Sequence, residues 1–134
     1  MANPHFIRAS AQCSGNNLLV RFTEAGLGAN ETVTITASAM ATATYVCVNR
    51  GGGRPQAENK ITIVEEVSVS GDFTSGQNGR INGSLVIPVP GPGDFSCPPG
   101  QNLVLESGSV SYSDVEVTDE TNFVSISIPG TFSC

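Results

Sequence analysis

Apolar and polar residues alternate with a period of two along most of this chain, the pattern of half-buried β-strands. "HFIRASAQCS" sets Ile7, Ala9, Ala11 and Cys13 on one face and Arg8, Ser10 and Gln12 on the other. After the turn "SGNN", "NLLVRFTE" turns Leu18, Val20 and Phe22 inward, and "AGLGANE" is a glycine-punctuated connection. In "TVTITASAMATATYVCVN" one parity carries Val33, Ile35, Ala37, Ala39, Ala41, Ala43, Tyr45 and Cys47. That run exceeds an ordinary strand of about 5–6 residues, so a bend or break is expected near Met40. "ITIVEEVSVSGDFT" gives Ile61, Ile63, Val67, Val69 and Phe73 one parity. Glu65–Glu66 reads as a strand exit or bulge, and Gly71 as a kink or bulge. "SGQNG" reads as the turn of a hairpin leading into Ile81, Leu85, Ile87 and Val89, with Pro88 and Pro90 marking the strand end. Later, Val110 and Tyr112 share one parity and Val115 and Val117 the other, which a bulge near Ser113–Asp114 reconciles. Val124, Ile126 and Ile128 face inward in the last strand, and Phe132 and Cys134 resume that parity after Pro129–Gly130.

No segment has a helical period with caps. About seven or eight short strands joined by turn signals predict an all-β fold. The expectation is an antiparallel immunoglobulin-like β-sandwich, with an open Greek-key barrel as the alternative. The absence of Trp removes the antibody-type core. With 134 residues and no repeat or linker, residues 1–134 read as one domain.

Composition narrows the class. Charged residues make up only 13%, so Ser, Thr, Asn and Gly must carry the surface. A net charge of −6 with scattered basic residues leaves no footprint for nucleic acid or an anionic membrane. No apolar run approaches the roughly 20 residues of a membrane helix. "MANPHF" reads as a mature secreted chain whose signal has been removed.

Cys13, Cys47, Cys97 and Cys134 form no C-x-x-C knuckle, and His5 is the one histidine, so zinc is a poor fit. Two disulfides in an oxidising compartment are expected. Pairing Cys13 with Cys134 would tie the chain ends together. Cys47 would then bond Cys97 and anchor the proline- and glycine-rich loop "PGPGDFSCPPGQN". Pairing 13–47 with 97–134 is the competing arrangement.

Candidate chemistry is sparse. His5, next to the terminus, is a poor general base, and neither a nucleophile elbow nor a phosphate loop occurs. No catalytic residue and no cofactor are assigned. "SDVEVTDE" gathers Asp114, Glu116, Asp119 and Glu120, a weak calcium candidate without an EF-hand pattern, and Asp94 is a further oxygen donor. Asp114 and Glu116 are also spaced as glycosidase carboxylates can be, about 7 Å along a strand. The alternative for all of them is a solvated strand face. "NET" at Asn30 and "NGS" at Asn82 are glycosylation acceptors. Tyr45 and Tyr112 fall at core parity, which argues against a sugar-stacking role.

The segments "ATATYVCVNRGG", "GPGDFSCPPGQ" and "IPGTFSC" resemble small secreted, disulfide-containing β-sandwich proteins of soil bacteria and fungi, whose function is unassigned. The resemblance implies fold and an extracellular location and brings no site residue with it. Together these readings point to a secreted, non-enzymatic binding or surface module that meets an extracellular protein or glycan. The expected contact surface is loops 49–59 and 90–102, with Arg50, Arg54, Asp94 and Phe95; the arginine pair is also a phosphate or sulfate candidate. The alternative is a structural subunit of an extracellular fibre or coat that self-assembles through strand edges. A glycan-binding or protease-inhibitor loop, presenting "GDFSCPPG", ranks below both.

Overall fold

The computed structural model describes residues 3–49 and 55–134. Its strands are β1 (His5–Ser14), β2 (Asn17–Ala25), β3 (Thr32–Asn49), β4 (Pro55–Thr74), β5 (Ile81–Ile87), β6 (Gln101–Leu105), β7 (Ser111–Asp119), β8 (Val124–Ile128) and β9 (Phe132–Ser133). They form two antiparallel sheets, a smaller one ordered β1-β2-β5 and a larger one ordered β4-β3-β7-β8. In the larger sheet β6 also pairs β3, and β9 pairs β7. The fold is an all-β antiparallel sandwich.

Strand β3 is the spine, and it does not break at Met40. One edge pairs β4 without a register shift from Thr32 to Val46. The other edge is shared, first by β7 over Ile35–Thr42 and then by β6 over Tyr45–Asn49. Two successive partners absorb the length of β3, so its ladder never lacks a neighbour. The irregularity lies on β7, where the register shifts opposite Ser38 and Met40 and Asp114 takes φ 53°. This bulge lets Val110, Tyr112, Val115 and Val117 all reach the core.

Four other expectations are corrected. Ile7 is 41% exposed, because a register shift between Phe6 and Arg8 turns Phe6 inward in its place. Glu65 and Glu66 neither end nor bulge β4; they pair Ala41 and Met40 in an unbroken ladder. Gly71 keeps regular register opposite Ile35 and is packed by Phe73 and Leu85 instead of kinking the strand. "SGQNG" does not close a hairpin, since β4 and β5 belong to different sheets. It is a crossover turn in which Gly79 takes φ 75° and Asn78 caps Arg80.

The core lies between the sheets. Ala37, Ala39, Ala41 and Ala43 form a small-residue stripe along β3, faced by Leu18, Val20 and Ile87 of the smaller sheet, with Tyr112 beside Ala41 in the same sheet. At one end Phe22 of the smaller sheet stacks edge-on with Phe73 of the larger, ring centroids 5.2 Å apart, and Phe6 follows at 6.2 Å. A Cβ at Gly83 would strike the Phe22 and Phe73 rings at 2.7 and 2.8 Å, so this position on β5 must stay bare. Disulfides join Cys13 to Cys134 and Cys47 to Cys97. The first closes the sandwich where β1 lies against β8 and β9. The second pins loop 88–100 to β3, and Tyr45 adds to it by donating a 2.8 Å hydrogen bond to the Pro90 carbonyl.

Candidate functional site

Registers in the smaller sheet determine which polar side chains meet. On β2 the inward positions are Leu18, Val20 and Phe22, so Arg21 and Thr23 alternate onto the other face, Arg21 exposed and Thr23 covered by its neighbours. Arg8 of β1 opposes Thr23, and Thr23 opposes Asn82 of β5. Ser10 opposes Arg21, and Arg21 opposes Ser84. Two adjacent cross-strand rows therefore lie on the outer face, Arg8–Thr23–Asn82 and Ser10–Arg21–Ser84. These six residues line an open cleft of about 650 Å³, with Ala9, Phe22, Gly83 and Phe73 completing it. That size falls within the range of small-molecule sites, about 300–1,000 Å³.

The cleft is rich in donors. Arg8 and Arg21 are diagonal neighbours, about 7–8 Å apart by sheet geometry, and among the described residues no carboxylate lines the cleft. The Thr23 hydroxyl donates to the Asn82 carbonyl oxygen at 2.8 Å. This occupies the acceptor end of the Asn82 amide and leaves its NH₂ to donate. The Ser10 and Ser84 hydroxyls are exposed beside them.

A second groove, of about 580 Å³, crosses the outer face of the larger sheet and has the opposite character. Glu66, Asp114 and Glu116 line it together with Ser38, Ser127 and Thr131, and among the described residues no basic one does.

A carboxyl pair is buried between the sheets. Glu24 of β2 and Asp119 of β7 are both fully buried. Asp119 accepts hydrogen bonds from the backbone N–H groups of Thr121 and Asn122 at 2.9 and 3.0 Å and from the Asn122 side-chain amide at 2.9 Å. Neither Glu24 oxygen meets a donor. Burial, then hydrogen bonding to Asp119, then the Asp119 charge push the Glu24 carboxyl up to about 8. Burial acts to raise Asp119 as well. The hydrogen bonds from Glu24, Asn122 and Thr121 outweigh it and hold Asp119 below the usual carboxylate range. One proton on Glu24, donated to an ionised Asp119, accounts for both directions. Burial, and secondarily Tyr45, push the Tyr112 hydroxyl up to about 12 while it donates to the Asn16 carbonyl at 2.8 Å.

The candidates from sequence are dispersed. Arg50 and Arg54 lie outside the described residues. Asp94 is exposed and Phe95 half-buried in loop 88–100. Asp114, Glu116 and Glu120 are exposed, whereas Asp119 points into the core toward Glu24, so the four do not converge. Among the described residues no group of three or more His, Cys, Asp or Glu side chains is placed to hold a metal ion. His5 is exposed, its Nδ1 2.8 Å from the Asn3 carbonyl oxygen. Asn30 occupies a turn at φ 57°, and Asn82 lies in the cleft. Sequence reading treated Arg8 and Arg21 as scattered charges. The β1–β2 alternation placed both on outward faces, but only the register makes them neighbours and only β5 completes the cleft.

The chain is thus an antiparallel β-sandwich with two disulfides and a donor-lined cleft on its smaller sheet. It matches no protein-family model and no curated protein. Among solved structures it is similar to the solution structure of CsgH from R. palustris, at 10% identity and a TM-score of 0.32, over 99% of this chain and 90% of that one. No helix among the described residues is long and apolar enough to cross a membrane.

Proposed function

We propose that this protein is a secreted, non-enzymatic binding module whose contact surface is the outer face of the smaller sheet. The observation that carries this reading is the cleft itself: two arginines, an amide and two exposed hydroxyls converge there, and among the described residues no acidic side chain lines it. Like charges on diagonal strand neighbours repel, and folding gains nothing from placing them together. A ligand offering acceptors offsets that repulsion. The two disulfides fit an oxidising compartment.

Assembly through strand edges is the second reading. It has an extended edge to work with, since β4 runs from Pro55 to Thr74 and pairs only β3. Glu65, however, sits at the core-facing parity of this strand between Ile63 and Val67, and it is exposed. An inward-pointing charge in the middle of an edge strand blocks edge-to-edge stacking. This favours the binding module.

The test is retention on arrays of extracellular glycans and proteins, comparing wild type with Ser84→Trp, which fills the cleft from an exposed position. Retention of wild type and its loss in Ser84→Trp is the expected result. Equal retention of both proteins, or none of wild type, contradicts the reading.

A further inference from the structure

We infer that the cleft takes an acidic saccharide, bound through its carboxylate or sulfate oxygens between Arg8 and Arg21. This rests on the binding-face reading above and adds the ligand class.

Charge comes first. The chain carries −6 overall, so an anion gains nothing from the molecule as a whole and must be held locally. The cleft provides the local field, because Arg8 and Arg21 stand in adjacent rows and among the described residues no Asp or Glu lines the wall. Guanidinium groups grip planar oxyanions through paired N–H donors, a geometry that lysine lacks. One oxyanion reaches both side chains across a separation of about 7–8 Å, which long arginines span.

The remaining groups favour a sugar over an acidic peptide. Asn82, Ser10 and Ser84 surround the arginines, and they supply amide and hydroxyl partners for ring hydroxyls and ethers. Peptides join sheets through free strand edges, using main-chain hydrogen bonds. Here the cleft centres on β2, whose backbone is paired on both sides by β1 and β5. A ligand lying across it meets side chains only, and a saccharide needs nothing more. The open form of the cleft suits a chain that enters and leaves at both ends.

The experiment is calorimetric titration of the intact protein with trigalacturonate, a heparin-derived tetrasaccharide, maltotriose, a glutamate-rich peptide and sodium sulfate, at low and at 0.5 M salt. Binding of one or both acidic saccharides is expected, weakened by salt, with maltotriose at least tenfold weaker. The uronate and the sulfated sugar distinguish the two sources of the oxyanion. Arg21→Gln and Arg8→Gln each lower affinity by about tenfold or more, while Arg21→Lys retains part of it. Both arginines are exposed, so thermal melts of these variants match wild type and exclude a folding defect. The inference is overturned if neither acidic saccharide binds, if only the peptide or sulfate binds, or if both Gln variants bind as wild type does. Array retention that Ser84→Trp still abolishes then leaves the binding face standing without this ligand class. Loss of that array result removes the face as well.

Discussion

The two outer faces of this sandwich are both polar, and they treat their polar groups differently. On the larger sheet side chains satisfy one another across the β3–β4 ladder. Thr32 bonds Thr74 at 2.8 Å, Thr36 bonds Ser70 at 2.6 Å, Thr44 bonds Thr62 at 2.9 Å, and Thr34 donates to Asp72 at 2.7 Å. Such hydroxyl ladders keep a β-branched face soluble and leave few groups for a partner. On the smaller sheet the single Thr23–Asn82 bond does the reverse, because it frees the donor end of the amide. The comparison teaches that composition alone is a poor guide to a site. What separates a solvated face from a binding face is how much hydrogen-bonding capacity the cross-strand neighbours leave unspent.

Several substitutions break or sharpen this contrast, and the largest effects lie beneath the faces. Replacing both Cys47 and Cys97 by Ala opens a loop with a sequence separation of 50 residues, and the loss of stability is about 4 kcal/mol by loop-closure entropy. Denaturant unfolding measures it. Saccharide binding to the folded fraction should persist, since the staple anchors loop 88–100 to the larger sheet. Asp119→Ala removes the acceptor of three part-buried hydrogen bonds and leaves the buried Glu24 carboxyl without its partner, at a cost of about 3 kcal/mol in the same assay.

Glu24 gives a pH signature. Its carboxyl is raised from an unfolded value of 4.5 to about 8, so between those values the folded state holds a proton that the unfolded state has lost. Stability therefore falls as pH rises through this window, by up to about 1.4 kcal/mol per pH unit. Asp119, shifted down, acts oppositely and only at acid pH, its contribution disappearing below its unfolded value of 3.8. Glu24→Gln keeps a donor toward Asp119 and should flatten the decline between pH 5 and 8. A Gln variant with the wild-type slope would place the proton elsewhere. Tyr112→Phe removes one buried hydrogen bond and costs about 1 kcal/mol. Smallest of all, Thr36→Val on the larger face and Arg8→Gln on the smaller each change stability by less than about 0.5 kcal/mol. Only Arg8→Gln should change ligand affinity, and that is the sharpest form of the contrast.

Strand positions were readable where parity alone decides them. Leu18, Val20, Phe22 and the alanine stripe of β3 are buried as their alternation indicates, and the β7 shift opposite Ser38 and Met40 falls where two parities collide in the sequence. Partner choice was not readable. Whether "SGQNG" closes a hairpin or crosses between sheets depends on which strand β4 meets, and β3 takes its entire inner edge. The Phe6–Arg8 shift likewise reflects Phe6 reaching Phe22, a contact between strands. The candidate site failed to appear for the same reason. Arg8, Arg21 and Ser84 become neighbours only through two registers, and Glu24 finds Asp119 across 95 positions of sequence. Charged residues at inward parity, Glu24 in "LLVRFTE" and Asp119 after Val115 and Val117, were the local signals that something unusual is buried, although Glu65 shows the same parity and is exposed.

The central claim is that the ligand lies on the smaller sheet's outer face. Amide chemical-shift mapping of the full chain during titration with the acidic saccharide that binds tests it most directly. The account predicts perturbations concentrated at Arg8, Ser10, Arg21, Thr23, Asn82 and Ser84, with Thr34, Thr36 and Ser70 unmoved. Perturbations centred on the larger sheet's face, or on loop 88–100 around Asp94 and Phe95, would contradict it.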